Sequence, residues 1–380
     1  MPTGIDRVEL AYLAHMHEQG VPLYGLVRTA FGYLLIDPKG MSALHARFAG
    51  AVPWGAVDHL SKLLRNRTDV QRRAEADARR VALARAMPPR LTALLRKHVP
   101  PKTRYFNIGH SNLTDRVFRA LRASGLRVTV FIHDVIPLDY PQYQRSDTVE
   151  PFRQKLRRVW TNADEIIYNS ADTRRRTEAQ MGPRGVAPQA IVAHLGTTGL
   201  TPDLTELPAG LPPAGPYFIT VGTIEPRKNH AFLLDLWARW GIAAPPLLIC
   251  GSRGWNNEDV FFRLDGNGGN RNIREISGLT DNALAALVEG AAGALFPSHA
   301  EGFGLPVVEA AMLGTRVLCN DLTVFREIMG DRVVYAPVSQ PELWINTLRT
   351  WQNTPPKAHQ IARFVGPTWD EHFKTVLRLR

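Results

Sequence analysis

From Tyr217 onward the chain alternates short apolar runs with helical stretches, and this alternation narrows its fold more than any other feature. The runs YFITVGTI, PLLIC, IREISGL, GALFPS, RVLCND and RVVYAP are interspersed with AFLLDLWARW, DNALAALVEGA and PVVEAAMLG. Short strands that are apolar on both faces belong to a parallel sheet covered by helices on either side. The C-terminal half therefore reads as a Rossmann-like domain. The N-terminal half repeats the pattern less regularly, with PLYGLVR, GYLLID, RYFNIG, RVTVFIHD, EIIYNS and QAIVAHL as strands, and reads as a second α/β domain. Between the halves, GTTGLTPDLTELPAGLPPAGP is dense in proline and glycine, as an interdomain linker should be. A chain of 380 residues has room for two such cores. The expected division is residues 1–200, residues 201–365 and a terminal helix in 366–380 with Thr368 as its N-cap, the two α/β units facing each other across a cleft.

The net charge of +11 points to anionic partners, and the excess is concentrated. Lys62 to Arg104 holds thirteen basic and three acidic residues with leucines and alanines interleaved, which reads either as a long basic amphipathic stretch suited to an anionic membrane surface or as the solvated, salt-bridged face of a helix. Its lack of interleaved aromatic residues argues against nucleic acid. Two cysteines, Cys250 and Cys319, lie in apolar runs and fit buried thiols of a reducing cytoplasm better than a disulfide framework. The opening MPTGIDRVELAYL has no basic region followed by an apolar core, and no run approaches a membrane span. The expected location is cytoplasmic, peripheral at the inner face of the membrane.

The chemistry concentrates in SHAEGFGLPVVEAAMLG, residues 298–314. After a buried strand come Gly302 and Gly304, then a helix beginning near Leu305 with Pro306 in its first turn. The unpaired first-turn N–H groups of such a helix, together with its dipole, make a site for phosphate. Glu301 and Glu309 flank it, and a carboxylate can accept hydrogen bonds from neighbouring sugar hydroxyls. Taken singly, Glu309 also reads as a first-turn charge favoured by the dipole, and Glu301 as a solvated loop residue. A second cluster, VGTIEPRKNH, sets Arg227 and Lys228 just after a strand, where doubly wound sheets bind ligands. There they can neutralise a leaving diphosphate, or merely decorate an exposed turn. Gly-x-Gly-x-x-Gly after a strand, GK[ST], Cys-x-x-Cys and Asp-x-Asp are all lacking, so nicotinamide enzymes and NTPases lose support, and neither a cofactor nor a metal is expected.

EGFGLPVVEA, with seven residues between its glutamates, closely resembles the signature of glycosyltransferase family 4, retaining enzymes of GT-B fold. The resemblance extends over nearly the whole chain and is sharpest from Tyr217 to Asp321. It implies a nucleotide diphospho-sugar as donor and a saccharide or lipid-linked saccharide as acceptor. It further implies that Glu301 meets the donor sugar, Glu309 the ribose, and the amides of Phe303, Gly304 and Leu305 the diphosphate or sugar. Arg227 and Lys228 become leaving-group stabilisers. Thr223 stands where relatives often carry a further Arg. TGIDRVELAYL resembles the glycine-bearing loop and following helix, giving Gly4, although relatives often have two glycines where this chain has Thr3-Gly4. FIHDVIPLDYP gives His133, implied to approach the transferred sugar, although a lone histidine after an apolar strand also reads as a hydrogen-bonded structural residue, and ISGLTDNAL gives Asp281, near the base. PTWDEHF resembles the family's helix that crosses back onto the N-terminal domain. Mannosyltransferase-like members imply a hexose, with mannose from GDP-mannose favoured, in cell-surface polysaccharide synthesis.

Three other readings stay open at this level: a GT-B-like sugar-nucleotide epimerase, a nucleic-acid binder and a non-catalytic scaffold. One structural expectation follows as well. A Rossmann-like domain normally opens with a central strand ahead of its glycine loop, whereas here TGIDRV begins at Thr3. Either the natural start lies upstream, or PLYGLVR occupies the central place. PLYGLVR and GYLLID look like two arms of a hairpin, which favours the first.

Overall fold

A computed structural model describes residues 4–182, 186–266, 272–354 and 364–377. Three sheets organise them. Strands β1 (Gly25–Thr29), β2 (Gly32–Ile36) and β3 (Ala82–Ala86) form an antiparallel sheet in that order. Strands β4 (Arg104–Asn107), β5 (Arg127–Ile132), β6 (Glu165–Tyr168) and β7 (Gln189–Val192) form a parallel sheet in sequence order. The third sheet is also parallel: β8 (Phe218–Val221), β9 (Leu247–Cys250), β10 (Ile273–Ile276), β11 (Gly293–Phe296), β12 (Val317–Cys319) and β13 (Val334–Tyr335), in the order β10-β9-β8-β11-β12-β13. All six apolar runs after Tyr217 became strands, because central positions such as Phe218, Leu247, Ile249, Leu295 and Leu318 are fully buried between helices on both faces.

β1 and β2 are the arms of a hairpin, in register from Gly25↔Ile36 to Thr29↔Gly32. Gly32 has φ +118, and a Cβ there would lie 2.4 Å from the carbonyl oxygen of Ala86, so this turn demands glycine. Residues 25–29 pair on one side only, at the edge of the antiparallel sheet, and do not take a central place among the parallel strands. Thr3 lies outside the described residues.

The basic stretch is not one amphipathic helix. It divides into the short helix His59–Lys62, the helix Asp69–Arg80, strand β3 and the helix Leu91–His98. The breaks have local causes. Thr68 caps Asp69–Arg80 through a capping box with Gln71, and Pro88–Pro89 stop β3. Several cations of the stretch are neutralised internally. Arg79, nearly buried, pairs with Asp58 at 2.7 Å and Glu75 at 2.5 Å, and Arg104 pairs with Glu165 at 2.9 Å.

The terminal helix Trp369–Val376 starts at Thr368, again with a capping box. It packs on the helix Gly4–Glu18 and on β7. His372 Nε2 lies 2.7 Å from the Tyr12 hydroxyl, the Phe373 ring stacks on His15 at 3.8 Å, and His372 Nδ1 lies 2.9 Å from the His194 carbonyl. The chain thus returns to its N-terminal half, as expected. One apolar cluster runs through both halves, joining Tyr12 and Phe131 to Phe303, Phe325 and Phe373. Cys250 and Cys319 are free and buried.

Candidate functional site

In the six-stranded sheet the strand order reverses between β8 and β11, and the carboxyl ends of adjacent strands at such a reversal leave a crevice. Both sequence clusters end there. After β8 the chain passes Gly222 and the exposed Thr223, makes a 3-10 turn at Pro226–Lys228, and enters the helix His230–Trp240 through Asn229 at φ +58. Asparagine is among the few residues that adopt this left-handed conformation readily. After β11, Ser298 to Gly304 lead into the helix Leu305–Met312, with Gly304 at φ +91 as its N-cap. A Cβ on Gly304 would lie 2.4 Å from the Phe325 ring.

The two loops meet in a buried ionic cluster. Glu301 accepts Lys228 Nζ at 2.6 Å and Ser298 Oγ at 2.8 Å on one oxygen, and Arg227 at 2.8 Å on the other. Arg227 also pairs with Glu225 at 2.7 Å. Two cations therefore face two carboxylates away from water. Burial alone pushes Glu301 up, but Lys228 and Arg227 outweigh it and hold the carboxyl down at about 2. Burial pulls Lys228 below the ordinary lysine value, against the opposing charge of Glu301. Glu225 is raised, chiefly by burial, and its Oε2 has no partner among the described residues. An unpartnered buried oxygen is costly unless something fills the need.

Glu309 is the fifth residue of its helix rather than part of the first turn, so the dipole reading does not apply to it. Its carboxylate pairs across the cleft with Arg7 at 2.7 Å. Burial, countered only partly by Arg7, raises its pKa, and nearby Asp281 adds to the rise. Asp281, exposed at the start of the helix Asp281–Glu289 behind the cap Thr280, thus lies on the Glu309 side of the site. Gly4 is the exposed first residue of Gly4–Glu18 with nothing within 4 Å of a Cβ, so no close approach within the chain requires glycine there.

His133 stands one residue past β5, buried, with Nε2 2.7 Å from the Ile108 carbonyl oxygen. Burial depresses its pKa to about 3, so the ring is neutral at ordinary pH. Its own carbonyl accepts from Asn169 at 2.8 Å and abuts Gly302, where a Cβ would come within 2.4 Å. Gly302 thus lets the glycine loop pack against the backbone just past β5. Phe303 is buried with an edge-on contact to His194, and Leu305 opens the helix.

Sequence reasoning missed the residues that hold the halves together. The Glu327 carboxylate accepts from the backbone N–H of Ala171 and Asp172 at 2.7 and 2.9 Å and lies 2.9 Å from His194 Nε2. It sits at the N-terminus of the helix Ala171–Met181, where the dipole favours it. The Thr173 hydroxyl donates to the Gly302 carbonyl at 3.1 Å. Glu225, adjacent to Arg227 in VGTIEPRKNH, was legible in principle. Arg7, Thr173 and Glu327 had no local signal, since their partners lie more than a hundred residues away. Among the described residues, no group of His, Cys, Asp or Glu is placed to hold a metal ion, and no helix is long and apolar enough to cross a membrane.

Comparison with known proteins finds both a family match and a shared fold. Residues 208–364 match the family model of glycosyl transferases group 1. The serotype-specific mannosyltransferase WbdA of Escherichia coli is 28% identical over 282 residues, 68% of this chain and 34% of that protein. O-antigen chain mannosyltransferase B of Escherichia coli is 36% identical over 119 residues, 30% of this chain and 31% of that protein. The chain spans about a third of the length of these curated relatives. Among solved structures, Anabaena Alr3699/HepE in complex with UDP and glucose superposes with a TM-score of 0.56 at 14% identity, covering 76% of this chain and 77% of that one. Sucrose-phosphate synthase from Thermosynechococcus elongatus superposes with a TM-score of 0.53 at 18% identity, covering 72% and 71%. The fold is the two-domain GT-B arrangement.

Proposed function

We propose, for a chain that belongs through residues 208–364 to the glycosyl transferases group 1, that it moves a hexose, mannose by preference, from a nucleotide diphospho-sugar to a hydroxyl of a saccharide or lipid-linked saccharide, with retention of anomeric configuration. The observation that carries the reading is the buried cluster of Glu301, Lys228, Arg227 and Glu225 beside the N-terminus of the helix Leu305–Met312. A departing diphosphate gains negative charge. Preorganised cations and helix amides in a water-poor site stabilise that charge without reorganising, so no metal is required. Glu301, kept ionised, accepts hydrogen bonds from donor-sugar hydroxyls, while Glu309 and Asp281 hold the nucleoside end. Neutral His133 contributes hydrogen bonding rather than proton transfer. Closure across Gly302 excludes water, so transfer outcompetes hydrolysis. Mannosyltransferase relatives in O-antigen synthesis support mannose and surface polysaccharide as the setting.

Thermal stabilisation across a panel of sugar nucleotides tests the donor. GDP-mannose at a hundred times its dissociation constant should add roughly 2.7 kcal/mol of stability. Stabilisation by UDP-glucose instead would reassign the sugar, and none by any member of the panel would remove the reading.

Membrane association at the inner leaflet belongs to the same proposal. With the basic stretch divided, the surface that serves is its first part, where exposed Leu60, Leu63 and Val70 stand beside exposed Lys62, Arg65 and Arg67. Apolar anchors next to cations suit an anionic interface. The chain should co-sediment with anionic vesicles and be released by salt, whereas equal binding to neutral vesicles at low salt would contradict the assignment.

A further inference from the structure

Strands β1 and β4 each leave one edge of their sheet unpaired. Among the described residues β1 pairs only with β2 and β4 only with β5, and no backbone hydrogen bond joins the two sheets. A cavity of about 590 Å³ lies between these edges, lined by all of Gly25–Arg28 and all of Arg104–Asn107. Successive residues of a strand point to opposite faces. A cavity that touches every residue of both strands therefore runs along their edges rather than over either face.

This slot is apolar on both sides. Tyr12, Leu13 and Met16 of the helix Gly4–Glu18 line it on the Phe106 side of β4, the Tyr12 ring 6.3 Å from that of Phe106. Leu95 and Leu121 line it on the other side, in a cluster packed against Tyr105 and Leu26. An occupant held between two such layers is apolar on both faces. Its backbone is specified as well, because strand edges in apolar surroundings leave N–H and C=O groups that need partners. Asn107 repeats the need in a side chain. It is 6% exposed, its Nδ2 donates to the Ser111 carbonyl at 2.7 Å and the Tyr105 hydroxyl at 3.1 Å, and its Oδ1 has no partner among the described residues. A hydrocarbon chain would fill the volume and leave these groups unpaired, whereas an extended peptide does both.

The neighbouring helix gives the slot a direction. Glu9 lies against Gly109, two residues past β4, where a Cβ would clash with its carboxylate, and Tyr12 lies against Phe106 within β4. The helix therefore starts at the carboxyl end of β4 and runs back along it. A strand parallel to β4 ends where this helix begins, and connections of about two to six residues are usual between such elements.

We infer that the slot between β1 and β4 takes a β-strand, parallel to β4, apolar on both faces and continuous with the start of the helix Gly4–Glu18. The inference concerns the fold and stands apart from the transferase reading. It bears on the cleft through Arg7, in the first turn of that helix, which pairs with Glu309 at 2.7 Å.

The test fuses the segment Lys-Lys-Val-Ile-Val-Val-Ile ahead of Met1, which leaves three residues before the helix. Relative to the unfused chain, hydrogen exchange over residues 104–107 should slow about a hundredfold, and the melting temperature should rise by about 5 °C. The same extension with proline at two of its apolar positions lacks the N–H donors and should give neither effect. The free peptide at about 10 µM should give less than about a tenth of the protection, since fusion supplies an effective concentration in the millimolar range. Unchanged exchange in the fused chain overturns the inference. Equal protection by the proline extension or by laurate also overturns it, since either would mark an apolar filler without strand pairing. Full protection by the free peptide at that concentration would overturn the continuity with the helix and assign the strand to a separate chain.

Discussion

Replacing Glu301 by glutamine should lower turnover by about 10²- to 10³-fold, the scale seen when one preorganised electrostatic group is lost. Glutamine keeps the shape but gives up the charge that fixes Lys228 and Arg227, so both cations lose the geometry in which they meet a leaving diphosphate. The same change should destabilise the fold, because removing one partner of a buried pair leaves the others uncompensated, at a cost of about 3–5 kcal/mol. Turnover is therefore compared at a temperature where the variant is shown to be folded. The pH dependence provides an independent check. Glu301 is held at about 2, below its ordinary 4.5. Its pairing contributes in full above the ordinary value and is lost as pH falls through the folded value. The stability gap between wild type and Glu301→Gln should therefore be widest near neutrality and narrow between roughly pH 4.5 and 2. A gap unchanged by acid, or wild-type turnover in the variant, would contradict the assignment.

Glu309→Gln should have the opposite signature: a more stable empty protein that binds nucleotide about tenfold more weakly, a difference near 1.4 kcal/mol. Burial raises the Glu309 pKa despite Arg7, so its charged form is disfavoured by the fold. That cost is absent below the ordinary carboxylate value and grows as pH rises towards the folded value. Glutamine removes it, and Arg7, which is partly exposed, retains access to water. Stability given up at a binding site is a common trade against function. Melting curves at pH 7 and pH 4 with calorimetry of nucleoside diphosphate binding check both halves. A lower melting temperature with unchanged affinity would show that Glu309 serves structure alone.

The C-terminal sheet was legible because parallel strands buried on both faces are written as unbroken apolar runs. The hairpin Gly25–Ile36 was legible from its two short arms. Strand β3 was not, since ALARA alternates small residues with arginine inside a basic run and gains its place only by pairing with β2. The same run suggested one helix because composition carries no record of where caps and prolines interrupt it. At the site, the glycine loop and the Arg227–Lys228 turn were readable as local strings. The internal neutralisation of those cations by Glu301 and Glu225 was not, because it depends on β8 and β11 lying side by side. Nor was the partner of His133, whose imidazole is bonded to a neighbouring strand end. Contacts that close the cleft, Arg7 with Glu309 and Glu327 with the Ala171–Met181 helix, join residues far apart in sequence and become visible only in the fold.

Release of nucleoside diphosphate from a sugar nucleotide, followed with and without a neutral saccharide, addresses the proposed activity most directly. The cluster at Glu301 predicts release that rises steeply when the saccharide is added, with the sugar recovered on the acceptor in its original anomeric configuration. Release that ignores the acceptor, or interconversion of the free sugar nucleotide without any release, would contradict a transferase and point to hydrolysis or epimerisation at the same site.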